Sequence, residues 1–313
     1  MKSFSHVPVM LEQCMQGLNI KDGGTYFDGT VGGGGHSFEI LKRSAPTGKL
    51  IATDLDEDAI KAATDRLSGF SGRFQIYKSD YKDYAEVLDL ANVQSLDGVM
   101  LDFGVSSYQL DNGERGFSYM NPDAPLDMRM DRSQDLNAEI LLNTYSQREL
   151  ARILREYGEE RFAPEIAANI VKSRAEKPLK TSGELSKIIE SSIPAKFRQN
   201  GPCARKSFQA IRIAVNGELE GLYECVVGLT RRLKKGGRIA ILTFHSLEDR
   251  IVKQAFKFLE TDCICDKSLP VCVCGKKKEI EIITKKPITA DEAETKINSR
   301  SKCAKLRIAE KII

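Results

Sequence analysis

The sequence predicts an α/β protein built on a doubly wound parallel sheet, with an all-helical domain inserted into it. Three observations carry this prediction. Short apolar runs alternate with helix-period segments through residues 25–101, and a similar unit returns after residue 207. A glycine-rich loop joins the first of these runs to the first helix. Between residues 111 and 206 the pattern changes to successive helices with no convincing strand.

Taken in order, the first strand is Thr25-Tyr26-Phe27-Asp28, which runs through Thr30 into Gly32-Gly33-Gly34-Gly35-His36. The next apolar run, Lys49 to Thr53, ends in Asp54. Asp56 is placed to cap a helix over Glu57 to Leu67. Phe74 to Tyr77 and Gly98 to Leu101 complete the first half of the sheet. The insert holds helical patterns at Leu136 to Thr144, Gln147 to Tyr157, Pro164 to Arg174 and Ser182 to Ser191. One long helix is expected over Ser207 to Leu233, ending before Gly236-Gly237 and feeding the strand Arg238 to Phe244. The runs Glu279 to Thr284 and Lys305 to Ala309 follow each other without a long helix, so one is expected to add antiparallel at the sheet's end. The expected domains are 1–110 with 207–313, forming the sheet, and 111–206, forming the insert.

The glycine loop limits what the sheet can bind. Glycines let the backbone approach a ligand, and an acid ending the second strand can hold both hydroxyls of a ribose, the layout an adenosine cofactor needs. A dinucleotide would call for a third glycine where Ser37 stands and has no use for Asp28 just before the loop. Carboxylates near the loop suit a ligand with an amino group and a positive sulfur, so S-adenosylmethionine is the better fit. The bland alternative is a plain glycine turn between strand and helix.

At 313 residues the chain has ample material for one large or two ordinary domains. It carries 47 Lys plus Arg against 44 Asp plus Glu, a net charge of +3 that neither demands nor excludes a nucleic acid. No apolar run is long enough to span a bilayer and the N-terminus has no signal-like segment, so a cytoplasmic protein is expected. Isolated Cys14, Cys203, Cys225 and Cys303 are then free thiols. Cys263-x-Cys265 and Cys272-x-Cys274 are spaced so that four thiolates could surround a zinc ion, or could stand as free thiols in a surface hairpin; no metal is assigned to them.

Chemistry belongs at the carboxyl ends of the central strands, where Leu101-Asp102-Phe103-Gly104-Val105-Ser106-Ser107 stands. Phe103 could stack on a planar base. Asp102 could accept a hydrogen bond from an amine or from the cofactor, or simply cap the following loop. An exocyclic pyrimidine amine is a poor nucleophile because its lone pair is delocalised, and an acceptor that orients it addresses that difficulty. From Ser191 to Gly217 there are five basic residues (Lys196, Arg198, Arg205, Lys206 and Arg212) and no acid. Phosphate contacts are expected there, with a solvated basic loop as the alternative. His245 could meet a base or take a proton, against a helix-start histidine bonded to Glu248 or Asp249.

Asp28-Gly29-Thr30, Gly32 to His36, Leu101 to Ser107, Arg115-Gly116-Phe117-Ser118, Pro125 to Met130, Tyr157 to Phe162, Phe208 to Ile213 and Phe244 to Arg250 together resemble the bacterial RsmH family, formerly called MraW. The resemblance spans nearly the whole chain. It implies a Rossmann-like S-adenosylmethionine-dependent methyltransferase sheet with an inserted helical substrate domain. It further implies methylation of the N4 amine of a cytidine in the decoding region of 16S ribosomal RNA, with the small ribosomal subunit as partner and neither DNA nor membrane involved. Cofactor contacts implied by the resemblance are Gly34, Gly35, His36, Asp54, Tyr81, Asp102 and Gln109. Asp102 is the catalytic candidate, and Phe103, Arg205, Lys206, Arg212 and His245 are candidates for the substrate. Gly33 stands where a basic residue is frequent, Tyr108 where proline is frequent, and no Asn-Pro-Pro-Tyr or Asp-Pro-Pro-Tyr stretch is present. The competing readings are a methyltransferase acting on DNA or protein, and a noncatalytic RNA-binding assembly factor.

Overall fold

A computed structural model describes residues 8–198, 203–266 and 271–313. Its contacts divide the chain into two units. One comprises residues up to Gly104 together with Leu219–Ile313; the other is Val105–Glu218.

The first unit is an eight-stranded sheet among the described residues. Its strands are β1 (Thr25–Asp28), β2 (Lys49–Asp54), β3 (Phe74–Lys78), β4 (Leu96–Asp102), β5 (Leu233–Thr243), β6 (Ile280–Ile282), β7 (Ile288–Thr289) and β8 (Lys305–Lys311). The order is β3-β2-β1-β4-β5-β8-β6, with β7 paired to β8 off that path. Strands β1 to β5 run parallel to one another, in registers such as Phe27 opposite Ile51 and Val99. Strand β8 runs antiparallel to both β5 and β6.

In chain order the helices are α1 (Leu11–Leu18), α2 (Gly35–Arg43), α3 (Glu57–Leu67), α4 (Tyr84–Leu90), α5 (Ser107–Asp111), α6 (Ala138–Thr144), α7 (Gln147–Gly158), α8 (Ala163–Glu176), α9 (Ser182–Ser192), α10 (Ala204–Asn216), α11 (Leu222–Arg232), α12 (Ser246–Glu260) and α13 (Glu292–Ile297). Asp56 caps α3 as the sequence suggests, its carboxylate accepting from the Asp58 amide.

Alternation along the strands produces two cores. Phe27, Leu101 and Ile241 face a core shared with Val226 of α11 and Phe256 of α12. Tyr26, Met100 and Leu242 point the other way, into a core with Leu18 of α1 and Leu41 of α2. A sheet covered on both faces needs apolar side chains at consecutive positions, which is why its strands read as continuous apolar runs. Both cores rest on hydrophobic burial, at about 1.5–3 kcal/mol for each large side chain removed from water.

The helical unit has its own core, in which Leu154 of α7, Ile166 of α8, Ile189 of α9 and Phe208 of α10 are buried together. Capping boxes start α7 at Ser146 and α9 at Thr181, where each hydroxyl and a glutamate three residues on exchange backbone hydrogen bonds.

Three expectations need correcting. The single helix over Ser207 to Leu233 is two helices, α10 and α11. Gly217, at φ 57°, ends the first in the left-handed conformation, and Gly221, at φ 68°, precedes the second. Because α10 packs with the helical unit, the second boundary falls between Glu218 and Leu219 rather than before Ser207. Strand β5 begins at Leu233, ahead of the glycine pair, through an irregularity in its pairing with β4.

Candidate active site

Strand β1 lies between β2 and β4, so the chain turns to one side after β1 and the sheet continues on the other. The crevice at the carboxyl ends of such strands is the usual ligand site of an open α/β sheet. Asp28, Asp54 and Asp102 end these three strands.

The loop after β1 is laced to both neighbours. Gly29 N–H donates to Met100 O at 3.0 Å and Val31 N–H to Thr53 O at 2.9 Å. Asp28 is 2% exposed. Its carboxylate accepts from the Thr30 amide at 3.2 Å and from the Ser37 hydroxyl at 2.6 Å, so it braces the loop from within. Burial pushes its pKa up to about 6 against the lowering effect of those bonds. Asp54 accepts from the Gly32 amide at 2.8 Å and from the Asp56 amide at 2.9 Å. Burial raises its pKa to about 6 as well. Each carboxylate oxygen of Asp54 keeps a further lone pair, the acceptor set a ribose diol requires.

The glycines divide by what surrounds them. A Cβ at Gly34, where φ is +73°, would lie 3.1 Å from Ala63 Cα, and one at Gly35 would lie 2.2 Å from Pro8 Cγ. These two make room for protein. At Gly32, φ +49°, the nearest atom to such a Cβ is Thr30 O at 3.9 Å, leaving open space where backbone can meet a ligand.

Asp102 and His36 form the electrostatic centre. His36 Nε2 lies 3.1 Å from Val9 O. A carbonyl only accepts, so Nε2 carries the proton and Nδ1 is bare. Nδ1 stands 3.8 Å from Asp102 Oδ2. Burial drops the His36 pKa to about 4, and burial, followed by the charges of Asp28 and Glu248, lifts that of Asp102 to about 8. At neutral pH both groups are therefore uncharged, and their contact is not an ion pair. Asp102 Oδ1 is buried without a hydrogen-bond partner, an omission that costs about 1–3 kcal/mol until a donor arrives. The Asp102 backbone amide is held by Thr30 Oγ1 at 2.7 Å. That bond gives Thr30 a role that sequence reasoning missed; the only signal was a threonine at a loop position where glycine is common.

Other candidates fare differently. Tyr81, half-buried in the short turn that follows β3, packs on Phe103 with ring centroids 5.4 Å apart. Phe103 itself is 4% exposed within the core beneath β4. Its ring is already covered by protein, which corrects the expectation that it stacks on a base. Gln109 is buried in the helical unit, its Oε1 accepting from the Ser106 amide at 2.9 Å.

Arg212 is also corrected. Its guanidinium makes paired bonds of 2.8 and 2.7 Å to Glu218, with both side chains largely buried, so it locks the end of α10 rather than facing a phosphate. Arg205 and Lys206 are exposed, Lys206 Nζ donating to Glu159 O at 3.1 Å. Residues 199–202 of the acid-free stretch lie outside the described residues. His245 caps α12: its Nδ1 accepts from the Glu248 amide at 3.3 Å, and the Glu248 carboxylate accepts from the amides of Phe244 and His245. Its side chain is only 5% exposed, and its Nε2 lies 3.0 Å from Glu248 Oε1, so it holds the helix start.

No helix among the described residues is long and apolar enough to cross a membrane. A family model described as the MraW methylase family matches residues 3–312. The ribosomal RNA small subunit methyltransferase H of Symbiobacterium thermophilum is 51% identical over 311 residues, covering 99% of this chain and 98% of that protein. The protein of the same name from Clostridium botulinum strain Kyoto is 51% identical over 309 residues, covering 99% of each, and that of a Geobacter species is 51% identical over 313 residues, covering 100% of each. With its crevice of three strand-end aspartates, its glycine loop and a match running almost end to end, the chain belongs to the MraW methylase family.

Proposed function

We propose that the chain transfers a methyl group from S-adenosylmethionine to the N4 amine of a cytidine in the decoding region of 16S ribosomal RNA, within the small ribosomal subunit in the cytoplasm. The names of the relatives support the ribosomal RNA acceptor. The observation that carries the chemistry is Asp102: a half-buried strand-end carboxyl whose Oδ1 is buried without a partner, its pKa raised to about 8.

The residues fit the cofactor. Asp54 offers lone pairs for the ribose, Gly32 offers open backbone, and the orphaned oxygen of Asp102 offers an acceptor for a cationic group. Gly34, Gly35, His36 and Tyr81 complete the cofactor set of the sheet unit by family resemblance, the two glycines through the packing of the loop. When bound, S-adenosylmethionine supplies an electrophilic methyl on a positively charged sulfur.

The chain's own residues orient the amine and manage its proton. As a carboxylate, Asp102 accepts a hydrogen bond from N4–H and holds the nitrogen lone pair toward the methyl. As the N–C bond forms, the methyl–sulfur bond breaks to leave a neutral thioether, and the amine must lose a proton. Asp102 Oδ1 takes it, because its surroundings favour the neutral carboxyl once the adjacent positive charge is gone. His36, neutral and tied to Val9, fills the space beside it without competing for that proton. Arg205 and Lys206, exposed on α10, are the proposed phosphate contacts of the helical unit.

The test is methyl transfer from labelled S-adenosylmethionine to small subunits lacking the modification, with free ribosomal RNA and duplex DNA alongside, followed by nucleoside mass spectrometry. Label in N4-methylcytidine from the subunit supports the reading. Label only in DNA or protein, or none despite cofactor binding, refutes it.

A further inference from the structure

Between the end of α12 at Glu260 and β6 at Ile280, the described residues form neither helix nor strand. Their apolar members point outward: Ile264 is 58%, Val271 70% and Val273 77% exposed. Ile264 and Val273 are the central residues of Cys263-Ile264-Cys265 and Cys272-Val273-Cys274. The four sulfurs converge on one another although Cys263 and Cys272 are exposed, and each C-x-C leaves its aliphatic side chain in water, the reverse of what hydrophobic burial would select. Something other than apolar contact organises this loop.

The sulfur geometry indicates what. Cys263 and Cys272 sulfurs are 3.5 Å apart, Cys272 and Cys274 3.6 Å, Cys265 and Cys272 3.9 Å, and Cys263 and Cys274 3.9 Å. All four lie within 4.8 Å of one another. A tetrahedral zinc ion with Zn–S bonds of about 2.3 Å places its sulfurs about 3.8 Å apart. A disulfide would require about 2.05 Å, and all four cysteines are free. Two backbone amides add a second feature of thiolate sites: Ile264 N–H points at Cys274 Sγ at 3.4 Å and Val273 N–H at Cys265 Sγ at 3.3 Å. Such donors offset the negative charge of metal-bound sulfur. They also run from one C-x-C to the other, matching the two halves of the site.

We propose that Cys263, Cys265, Cys272 and Cys274 bind a structural zinc ion. The four thiols release four protons to solvent, each sulfur donates an electron pair to the ion, and no electron is transferred. Four protein ligands leave no open position, so the ion staples the α12–β6 loop and takes no part in methyl transfer. The free-thiol alternative accounts for neither the sulfur spacing nor the outward aliphatic residues.

The full-length protein, purified under reducing conditions and loaded with zinc, is dialysed against a weak chelator and analysed by mass spectrometry for metal. About one zinc per chain is expected. The Cys263→Ser/Cys274→Ser double variant is expected to lose it, and Cys303→Ser, outside the cluster, to keep it. In parallel, cobalt replaces zinc in the unmutated protein, where thiolate-to-cobalt charge transfer and tetrahedral d–d bands are expected whether or not the variants fold. Retention below roughly a tenth of an equivalent without those bands, zinc retained by the double variant, or iron held in its place would each overturn the proposal.

Discussion

At pH 7 the Asp102 carboxyl holds its proton while His36 beside it holds none to spare, and both states arise from burial. A cationic cofactor needs the carboxylate, so binding must expel the proton. Affinity for S-adenosylmethionine should therefore fall about tenfold per pH unit below about 8, with one proton released per molecule bound, measurable by calorimetry in buffers of different ionisation heat. Stability runs the opposite way. A carboxyl at 3.8 when unfolded and about 8 when folded stabilises fully below the lower value and loses that contribution as pH rises through the upper one. Asp102→Asn should abolish transfer, keep the fold, and flatten the decline in melting temperature between about pH 5 and pH 8; parallel declines in both proteins would show that the carboxyl is not held neutral. Arg212 gives a second contrast. Arg212→Ala leaves Glu218 buried without its partner and should cost about 3–5 kcal/mol in urea melts. Arg205→Ala with Lys206→Ala should leave those melts unchanged but weaken RNA binding and reduce its salt slope by about 0.7 for each phosphate no longer neutralised. The sequence placed Asp54 and Asp102 at strand ends because each closes an apolar run, and both do end their strands. It misassigned Phe103 and Arg212 because an aromatic or a guanidinium looks the same in sequence whether its partner is a base, a phosphate or the protein's own core.

Among the elements, the parallel strands were legible because burial on both faces leaves an uninterrupted apolar run, and Asp56 was legible as a cap by type and position. The break between α10 and α11 was not. Gly217 and Gly221 lie within a continuous helical periodicity, and an isolated glycine in such a pattern reads as tolerated, although here both take positive φ. Strand β7 escaped notice because two residues carry no periodicity, and α1 because a helix of eight residues offers barely two turns. Within the helical unit, the close approach of α7 to α10 was also invisible. A Cβ on Gly158, the last residue of α7, would lie 2.8 Å from Lys206 O and 3.2 Å from Ala210 Cβ. Gly158→Ala raises local helix propensity yet must push α10 away, so a net loss of about 1–3 kcal/mol is expected from urea denaturation. A gain in stability would mean that the two helices separate freely.

For the whole molecule, the consequential fact is that each unit has its own core: the sheet unit buries Phe27, Leu101 and Ile241 on one face and Tyr26, Met100 and Leu242 on the other, while the helical unit buries Leu154, Ile166 and Phe208. The sheet unit is also assembled from two separate stretches of chain, with Leu219–Ile313 supplying β5 to β8. Its folding therefore waits on contacts distant in sequence, whereas the helical unit closes on local ones, and local contacts form sooner. Units with separate cores tend to melt separately, so scanning calorimetry should resolve two transitions. Asp54, Asp102 and the glycine loop all belong to the sheet unit. S-adenosylmethionine at about a hundred times its dissociation constant should stabilise that unit by about 2.7 kcal/mol and raise one transition only. The assignment can be checked independently, since Asp102→Asn should remove the shift and Gly158→Ala should lower the other transition. A single transition that moves as a whole with the cofactor would show instead that the two cores unfold as one, and that ligand energy gathered at the ends of β1, β2 and β4 is shared across all residues.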